Sequence, residues 1–336
     1  MTTPIESKRP AESKRDGAST GRCPACNGTA AKLLQAPDRF HGRKEMYRMV
    51  RCTSCSLVWL EDPPPPNEMW KHYGVDYDRA IAGGGEDPEH WTGKRDVVLR
   101  YKSGGAILDL GCSSGGFLDS IKGPAWKLCG IEMSEEVAQK ARAKCDADVF
   151  VGDILDAPFA PESFDAITCF HVFEHLYQPQ EVLAKVSKWL KPGGIFYAIM
   201  PNIDSAGARI FKSYWYALEL PRHLFHFSPK SLSSVGKSVG LDTESITTDR
   251  EVFIEPSSRY IFDEILAKAG IHRAPMSKAK RPGVPFRIVR KAFRMTVLPL
   301  LNGMASFAGD GESIHAVFRK EPKNTQEASI GLGVRR

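Results

Sequence analysis

The first twenty residues, MTTPIESKRPAESKRDGAST, lack the apolar core of roughly 7–15 residues that a secretion signal needs, and they are too charged to span a bilayer. They read as a disordered tail, so neither secretion nor membrane insertion is expected. A disulfide framework is equally disfavoured, because such scaffolds are small and secreted, whereas four of the eight cysteines in this chain of 336 residues stand as two Cys-x-x-Cys pairs. That usage points to a reducing cytoplasm and a metal. No segment repeats. Also missing is a positive middle: residues 1–60 carry 11 basic and 5 acidic groups, residues 270–336 carry 13 and 4, and residues 61–269 carry 22 and 31. An anionic polymer laid across the middle would be repelled, which disfavours nucleic acid although the net charge is +6.

With 42% apolar residues the chain can bury one full-sized core and a small appendage, at about 100–200 residues per domain. Order is expected from near Gly21 to about Leu60, followed by a stiff spacer at Pro63, Pro64, Pro65 and Pro66. EMWKHYGVDYDRA and the stretch from Val97 to Tyr101 look like helical approach segments on either side of a Gly83–Gly85 turn. Strands and helices then alternate. Ala106–Leu110 is a strand, Gly116–Ile121 opens a helix, Lys127–Glu132 is a strand, and Ser134 can cap the next helix. A third strand ends at Val151, Phe164–Phe170 is a fourth, and Gln180–Leu190 is a helix stopped by Lys191, Pro192 and Gly193. Gly194–Met200 is a fifth strand, and Ser313–Arg319 a late one with a partner around Leu241–Thr248. Such alternation builds a mostly parallel sheet covered on both faces.

Ligands of open α/β sheets sit beyond the carboxyl ends of the strands. The first strand runs into Asp109-Leu110-Gly111-Cys112-Ser113-Ser114-Gly115-Gly116-Phe117, a turn whose small residues let a ligand approach the backbone. Glu132, followed by Met133, ends the next strand 21 residues after Gly111, where a carboxylate can accept both hydroxyls of a ribose. Asp153-Ile154 follows the third strand, where the aspartate can accept from an adenine amine. Taken in order, and joined by Pro158-Phe159, Phe164-Asp165 and Leu190-Lys191-Pro192-Gly193-Gly194, these blocks resemble the class I S-adenosylmethionine methyltransferases over about residues 100–245. That family commonly has Gly-x-Gly-x-Gly where this chain has Gly111, Ser113 and Gly115. The resemblance implies a Rossmann-like fold with a seven-stranded, mostly parallel sheet. It also implies a donor site at Asp109, Gly111, Cys112, Ser113, Gly115, Phe117, Glu132, Met133, Asp153 and Ile154.

Cys23-Pro24-Ala25-Cys26 and Cys52-Thr53-Ser54-Cys55 lie 25 residues apart, and four thiolates so paired can close a tetrahedron around structural Zn2+. A zinc module ahead of this catalytic domain is similar to the sugar C-methyltransferases, whose long C-terminal domain is absent here. In such relatives an aromatic segment like that from Trp70 to Tyr77 closes over the cofactor. Cys112, Cys129, Cys145 and Cys169 read as small hydrophobes of the sheet domain.

His171-Val172-Phe173-Glu174-His175-Leu176 follows the fourth strand, and Pro221-Arg222-His223-Leu224-Phe225-His226 the fifth. A related Glu-His pair occurs in ubiquinone-pathway O-methyltransferases and in small-RNA 3′-end methyltransferases, whose neighbourhood binds a metal; those enzymes have glutamate in place of His171. The histidines could hold a divalent ion or supply a general base, or pack structurally with only His175 active. His175 is the expected base, oriented by Glu174, with His171 and His226 as alternatives.

Lys278 to Arg294 carries seven basic residues and no acid, so a helix over 278–298 could dock on an anionic membrane or serve as a lid with a solvated basic face. The expected organisation is a tail (1–20), a zinc module (21–62), a linker with the approach segment (63–105), a catalytic domain (106–320, with a lid or insert about 255–308) and a second tail (321–336). The expected function is methylation, on oxygen, of a small-molecule or lipid- or sugar-linked acceptor by a cytoplasmic enzyme, peripheral at the inner membrane face if the basic helix docks there. The rival readings are a zinc-dependent nucleic-acid-binding protein on a cofactor-dead scaffold and an RNA-modifying methyltransferase.

Overall fold

The computed structural model describes residues 21–73, 88–249, 253–268, 270, 291, 295–296 and 311–322. The first expected tail, all but residues 321 and 322 of the second, the Gly83–Gly85 turn, the aromatic segment beyond Tyr73 and nearly all of the basic segment 278–298 lie outside the described residues.

After the cysteine strands β1 (Ala30–Pro37), β2 (Met46–Cys52) and β3 (Val58–Leu60), a single helical turn over Pro66–Met69 precedes α1 (Pro88–Tyr101). Alternation then begins: β4 (Gly105–Leu110), α2 (Gly116–Ile121), β5 (Trp126–Glu132), α3 (Glu135–Cys145), β6 (Asp148–Val151), β7 (Phe164–Phe170), α4 (Pro179–Trp189) and β8 (Leu190–Pro201). The chain continues through α5 (Ala206–Phe211), β9 (Phe225–His226), α6 (Pro229–Lys237), β10 (Leu241–Asp249), α7 (Ile254–Lys268) and β11 (Ser313–Lys320).

Local chemistry sets these boundaries. The Ser134 hydroxyl accepts from the Val137 amide and starts α3, and a reciprocal Ser228–Ser231 box starts α6. Proline occupies the first turn of α4 and α6, where its missing N–H costs nothing. Strand β8 begins at Leu190 instead of Gly194: the residues expected only to stop the helix enter the strand directly, through Gly193 at φ +74°.

The seven-stranded sheet has the order β10-β11-β8-β7-β4-β5-β6, with β4 to β8 parallel and β11 antiparallel to both β8 and β10. Strand order reverses beside β4, the position where such sheets leave a crevice for a ligand. Successive side chains face opposite layers. Ile107, Ala166, Tyr197 and Ile199 pack with residues of α1, α2 and α3, while Leu108, Ile167, Phe196, Ala198 and Met200 join a core that includes α4, α6 and the cysteine strands. That second core is continuous because β3 pairs with β9, forming a four-stranded sheet β1-β2-β3-β9. The prolines therefore do not hold the cysteine module apart from the sheet domain. No helix among the described residues is long and apolar enough to cross a membrane.

Candidate active site

The turn after β4 has the backbone that its small residues allow. Gly111, Ser113 and Gly115 all have positive φ (+70°, +47° and +78°). A Cβ at Gly115 would come 3.0 Å from Ala141 of α3, and one at Gly111 would come 2.5 Å from Val172, so both positions demand glycine for space as well as conformation. Serine tolerates the middle position because its own φ lies in the left-handed region that short polar residues can visit.

Glu132 fastens this turn, accepting from the Ser113 amide at 3.1 Å and the Ser134 amide at 2.9 Å. Met133 beside it is 65% exposed, an apolar side chain left facing solvent at the strand end. Asp153 accepts from the Leu155 amide at 2.7 Å and is otherwise exposed, with Ile154 buried below. Asp109 is buried and accepts from the Thr168 hydroxyl at 2.7 Å; burial pushes its carboxyl up to about 7, with Thr168 and then Lys94 opposing. A turn of small residues at positive φ, a carboxylate on the neighbouring strand and an exposed methionine fit a nucleoside-bearing donor. Cys112 and Phe117 point elsewhere: the cysteine fills the space over Gly130, and Phe117 packs edge-on against Phe170 at 4.9 Å. Only their backbone can serve a ligand at the turn.

Trp91 and Lys94 of α1 were not legible as site residues. Trp91 lies 6.0 Å from Phe117 and 6.2 Å from Phe170, and the Lys94 ammonium sits 4.6 Å above its ring. This cap covers Phe170 at the end of β7 and Phe117 of α2. The flagged Trp70 is 68% exposed, whereas Tyr73 reaches the histidines and places its hydroxyl 3.1 Å from His175 Nδ1.

Ligand atoms of Glu174, His175 and His223 lie within 4.8 Å of one another. His171, at φ +55° just after β7, places Nδ1 3.4 Å from Glu174 Oε1. His226, expected as an alternative base, is instead buried on β9 and bonds the Leu218 carbonyl. His223 takes the place nearest His175, with ring centroids 4.6 Å apart. Both histidines sit in one sequence motif; only the backbone route from Glu219 to Phe225 decides which of them faces the cluster.

Carbonyl oxygens only accept, so the Arg222 carbonyl 3.1 Å from His175 Nδ1 and the Ala217 carbonyl 2.8 Å from His223 Nδ1 place a proton on each Nδ1; the neutral His175 keeps its lone pair on Nε2, while His223 Nε2 faces the Glu219 carboxylate at 3.4 Å. Burial, reinforced by His223, brings His175 down to about 4; burial brings His223 to about 4 and His226 to about 3. Burial works to raise the Glu174 carboxyl, but His171, followed by His175 and His223, outweighs it and brings it to about 2. His171 Nδ1, 3.4 Å away, faces Oε1 as a long contact, and among the described residues neither Glu174 side-chain oxygen receives a well-aligned hydrogen bond.

Unfolding would return these imidazoles to near 6.5. The unfolded chain therefore binds more protons than the folded one between about 4 and 6.5, so stability is full above that window and falls as the pH drops through it. Each imidazole removes up to roughly 1.4 kcal/mol per pH unit inside it. Urea midpoints at pH 7 and pH 5 check this, and equal midpoints would contradict neutral burial.

The cysteine module repeats one knuckle twice. The Cys23 and Cys52 carbonyls accept from the Asn27 and Ser56 amides, and both of those residues turn through positive φ (+58° and +67°). Cys23 Sγ accepts from the Ala25 amide, and Cys52 Sγ from the Ser54 and Cys55 amides, at 3.3–3.4 Å. Sulfur pairs Cys23–Cys55 and Cys26–Cys52 stand 3.5 Å apart, near the ~3.8 Å edge of a tetrahedron with Zn–S bonds of ~2.3 Å. Four converging thiols with amides aimed at two sulfurs fit a thiolate-bound zinc.

Residues 88–246 match a methyltransferase domain family. A probable S-adenosylmethionine-dependent methyltransferase of Mycolicibacterium smegmatis is 27% identical over 143 residues, 41% of this chain and 55% of that protein. A ubiquinone biosynthesis O-methyltransferase of Vibrio atlanticus is 28% identical over 192 residues, 54% of this chain and 72% of that one. Among solved structures, a SAM-dependent methyltransferase from Archaeoglobus fulgidus aligns with a TM-score of 0.48 at 16% identity, covering 73% of this chain and 99% of its own.

Proposed function

This chain belongs to the class I S-adenosylmethionine-dependent methyltransferases, and from that membership we propose that it methylates an oxygen of a small-molecule or lipid- or sugar-linked metabolite, with His175 as the proton acceptor. The observation that carries the proposal is the fixed protonation of His175, whose Nδ1 proton is held by the Arg222 carbonyl and whose lowered pKa leaves Nε2 unprotonated at neutral pH. A general base needs that lone pair.

Glu132 would hold the ribose, Asp153 the adenine amine, and Gly111 to Gly115 the backbone approach. When bound there, the donor supplies a methyl carbon made electrophilic by its sulfonium charge. The protein's own part is to align an acceptor hydroxyl near the histidines, exclude water with the Trp91 cap, and take the hydroxyl proton on His175. Glu174, ionised beside His171, favours the positive charge that His175 then acquires. Incubation with isotopically labelled donor and fractionated host extract, followed by mass analysis of the labelled product, tests the acceptor class; a product labelled on nitrogen, carbon or RNA would overturn it.

Glu132→Ala and Asp153→Ala should each weaken donor binding by roughly 1–3 kcal/mol, with the exposed Asp153 at the lower end. Calorimetry showing unchanged affinity in both would remove the assigned donor site.

A second reading is favoured by the buried Glu174 carboxylate and its convergence with ligand atoms of His175 and His223. Ligating histidines characteristically spend their other nitrogen on a carbonyl or carboxylate, and Glu174, His175 and His223 offer a nitrogen- and oxygen-rich set for a divalent ion. In that case inhibition by a chelator would precede loss of the thiolate-bound zinc.

A further inference from the structure

The cysteine module forms part of the wall behind the histidines. The Leu60 amide donates to the Leu224 carbonyl at 2.9 Å, and the Leu224 amide donates to the Glu174 carbonyl at 2.8 Å, so one backbone ladder runs from the module to the buried carboxylate. Beside it, Asp38 and Arg222 are both fully buried, with Asp38 Oδ1 3.8 Å from Arg222 Nη1. Asp38 follows β1 and accepts from the His41 amide at 3.0 Å. The guanidinium donates to the His72 carbonyl at 3.2 Å and places Nε 3.6 Å from Glu219. The backbone carbonyl of that same Arg222 is the group that accepts from His175 Nδ1.

We infer that Asp38 and Arg222 are positioning residues through which the four-cysteine module fixes the tautomer and orientation of His175. The contact between Asp38 and Arg222 joins residues far apart in sequence and holds the buried guanidinium between two carboxylates, Asp38 at 3.8 Å and Glu219 at 3.6 Å. With Asp38 neutralised, Arg222 would be drawn toward Glu219, carrying its carbonyl along. The Tyr73 hydroxyl, 3.1 Å from the same Nδ1, is ready to exploit that movement: it can donate to an unprotonated nitrogen, which stabilises the opposite tautomer with the proton on Nε2. The donor side is anchored separately, since Glu132 and Asp153 bond Ser113, Ser134 and Leu155.

The effect on turnover rests on the proposed role of His175, whereas the tautomer does not, so the test reads both. Nitrogen-15 ring signals of His175 in the zinc-loaded protein should show a single Nδ1–H tautomer. Asp38→Asn, which keeps the side-chain shape, should give mixed or reversed tautomers and turnover lower by about 10- to 100-fold, with donor affinity and zinc content retained. Arg222→Lys should do the same and carries the test if Asp38→Asn does not fold. Arg51→Gln is the control: it breaks another contact between the module and the sheet domain, 2.9 Å to Asp204, and should leave the His175 signals unchanged. Unaltered His175 signals in Asp38→Asn and Arg222→Lys, or equal disturbance by Arg51→Gln, would overturn the inference. Shifted tautomers in a protein whose His175→Ala variant retains full turnover would uphold the positioning and refute the base.

Discussion

The His175→Ala protein is expected to bind the methyl donor as tightly as wild type and to turn over roughly 10²–10⁴-fold more slowly, the usual loss for one general base. Donor affinity should survive because the residues assigned to it lie on β4, β5 and the segment after β6, whereas His175 lies beyond β7. The pH profile is the sharper measurement. A histidine of ordinary pKa would give a limb near 6.5, but burial and His223 bring this one to about 4, so the rate should rise through about pH 4 and stay level across neutrality. If a metal occupies the cluster instead, His223→Ala should be nearly as harmful as His175→Ala, and a chelator should abolish activity while the four-cysteine zinc remains. His226→Ala should be milder than either, since its ring serves the Leu218 carbonyl within β9. Near-normal turnover of His175→Ala on an identified acceptor would defeat both accounts.

Removing one thiolate should have the other large effect. Cys23→Ser or Cys52→Ser should lose the metal, and structural zinc sites of this kind bind with apparent free energies of ~10–16 kcal/mol near neutral pH. The damage should spread beyond residues 21–62. Because β3 pairs with β9, loosening the knuckles removes a neighbour from the strand that carries Phe225 and His226. The variants should therefore melt at lower temperature as whole proteins and lose activity, with donor binding the least affected property of the folded fraction. Elemental analysis of wild-type protein should find about one zinc per chain. Zinc-free protein with four freely reactive thiols would show that the module has been misread.

Much of the sheet domain was legible because its strands are short apolar runs, each followed by a residue chemically unlike them. Helix Gly116–Ile121, strand Phe164–Phe170 and the pairing of the late strand with the segment from Leu241 all stand where the sequence puts them. Parallel strands buried on both faces declare themselves by composition. The union of the module with the sheet domain was not legible, because β9 is two residues long and no pattern within Phe225–His226 identifies β3 as its partner. For the same reason the sequence offers His226 as an alternative base beside His175, whereas the structure sets His223 in the cluster. Proximity there is decided by a loop that folds back through Glu219 and Arg222 and sets Arg222 against Asp38, a contact across a distance in sequence that local reading cannot span.

The pairing of Val58 with His226 also bears on the order of events at the ribosome. About half the chain separates these two residues, so the cysteine segment is synthesised long before the strand that completes its sheet. Contacts of such wide separation close slowly, and until they do the emerging hairpin exposes an unpaired edge and four reactive sulfurs. Early capture of zinc by the two knuckles, each closed by turns within its own few residues, would shield those thiols while the rest of the chain is being made.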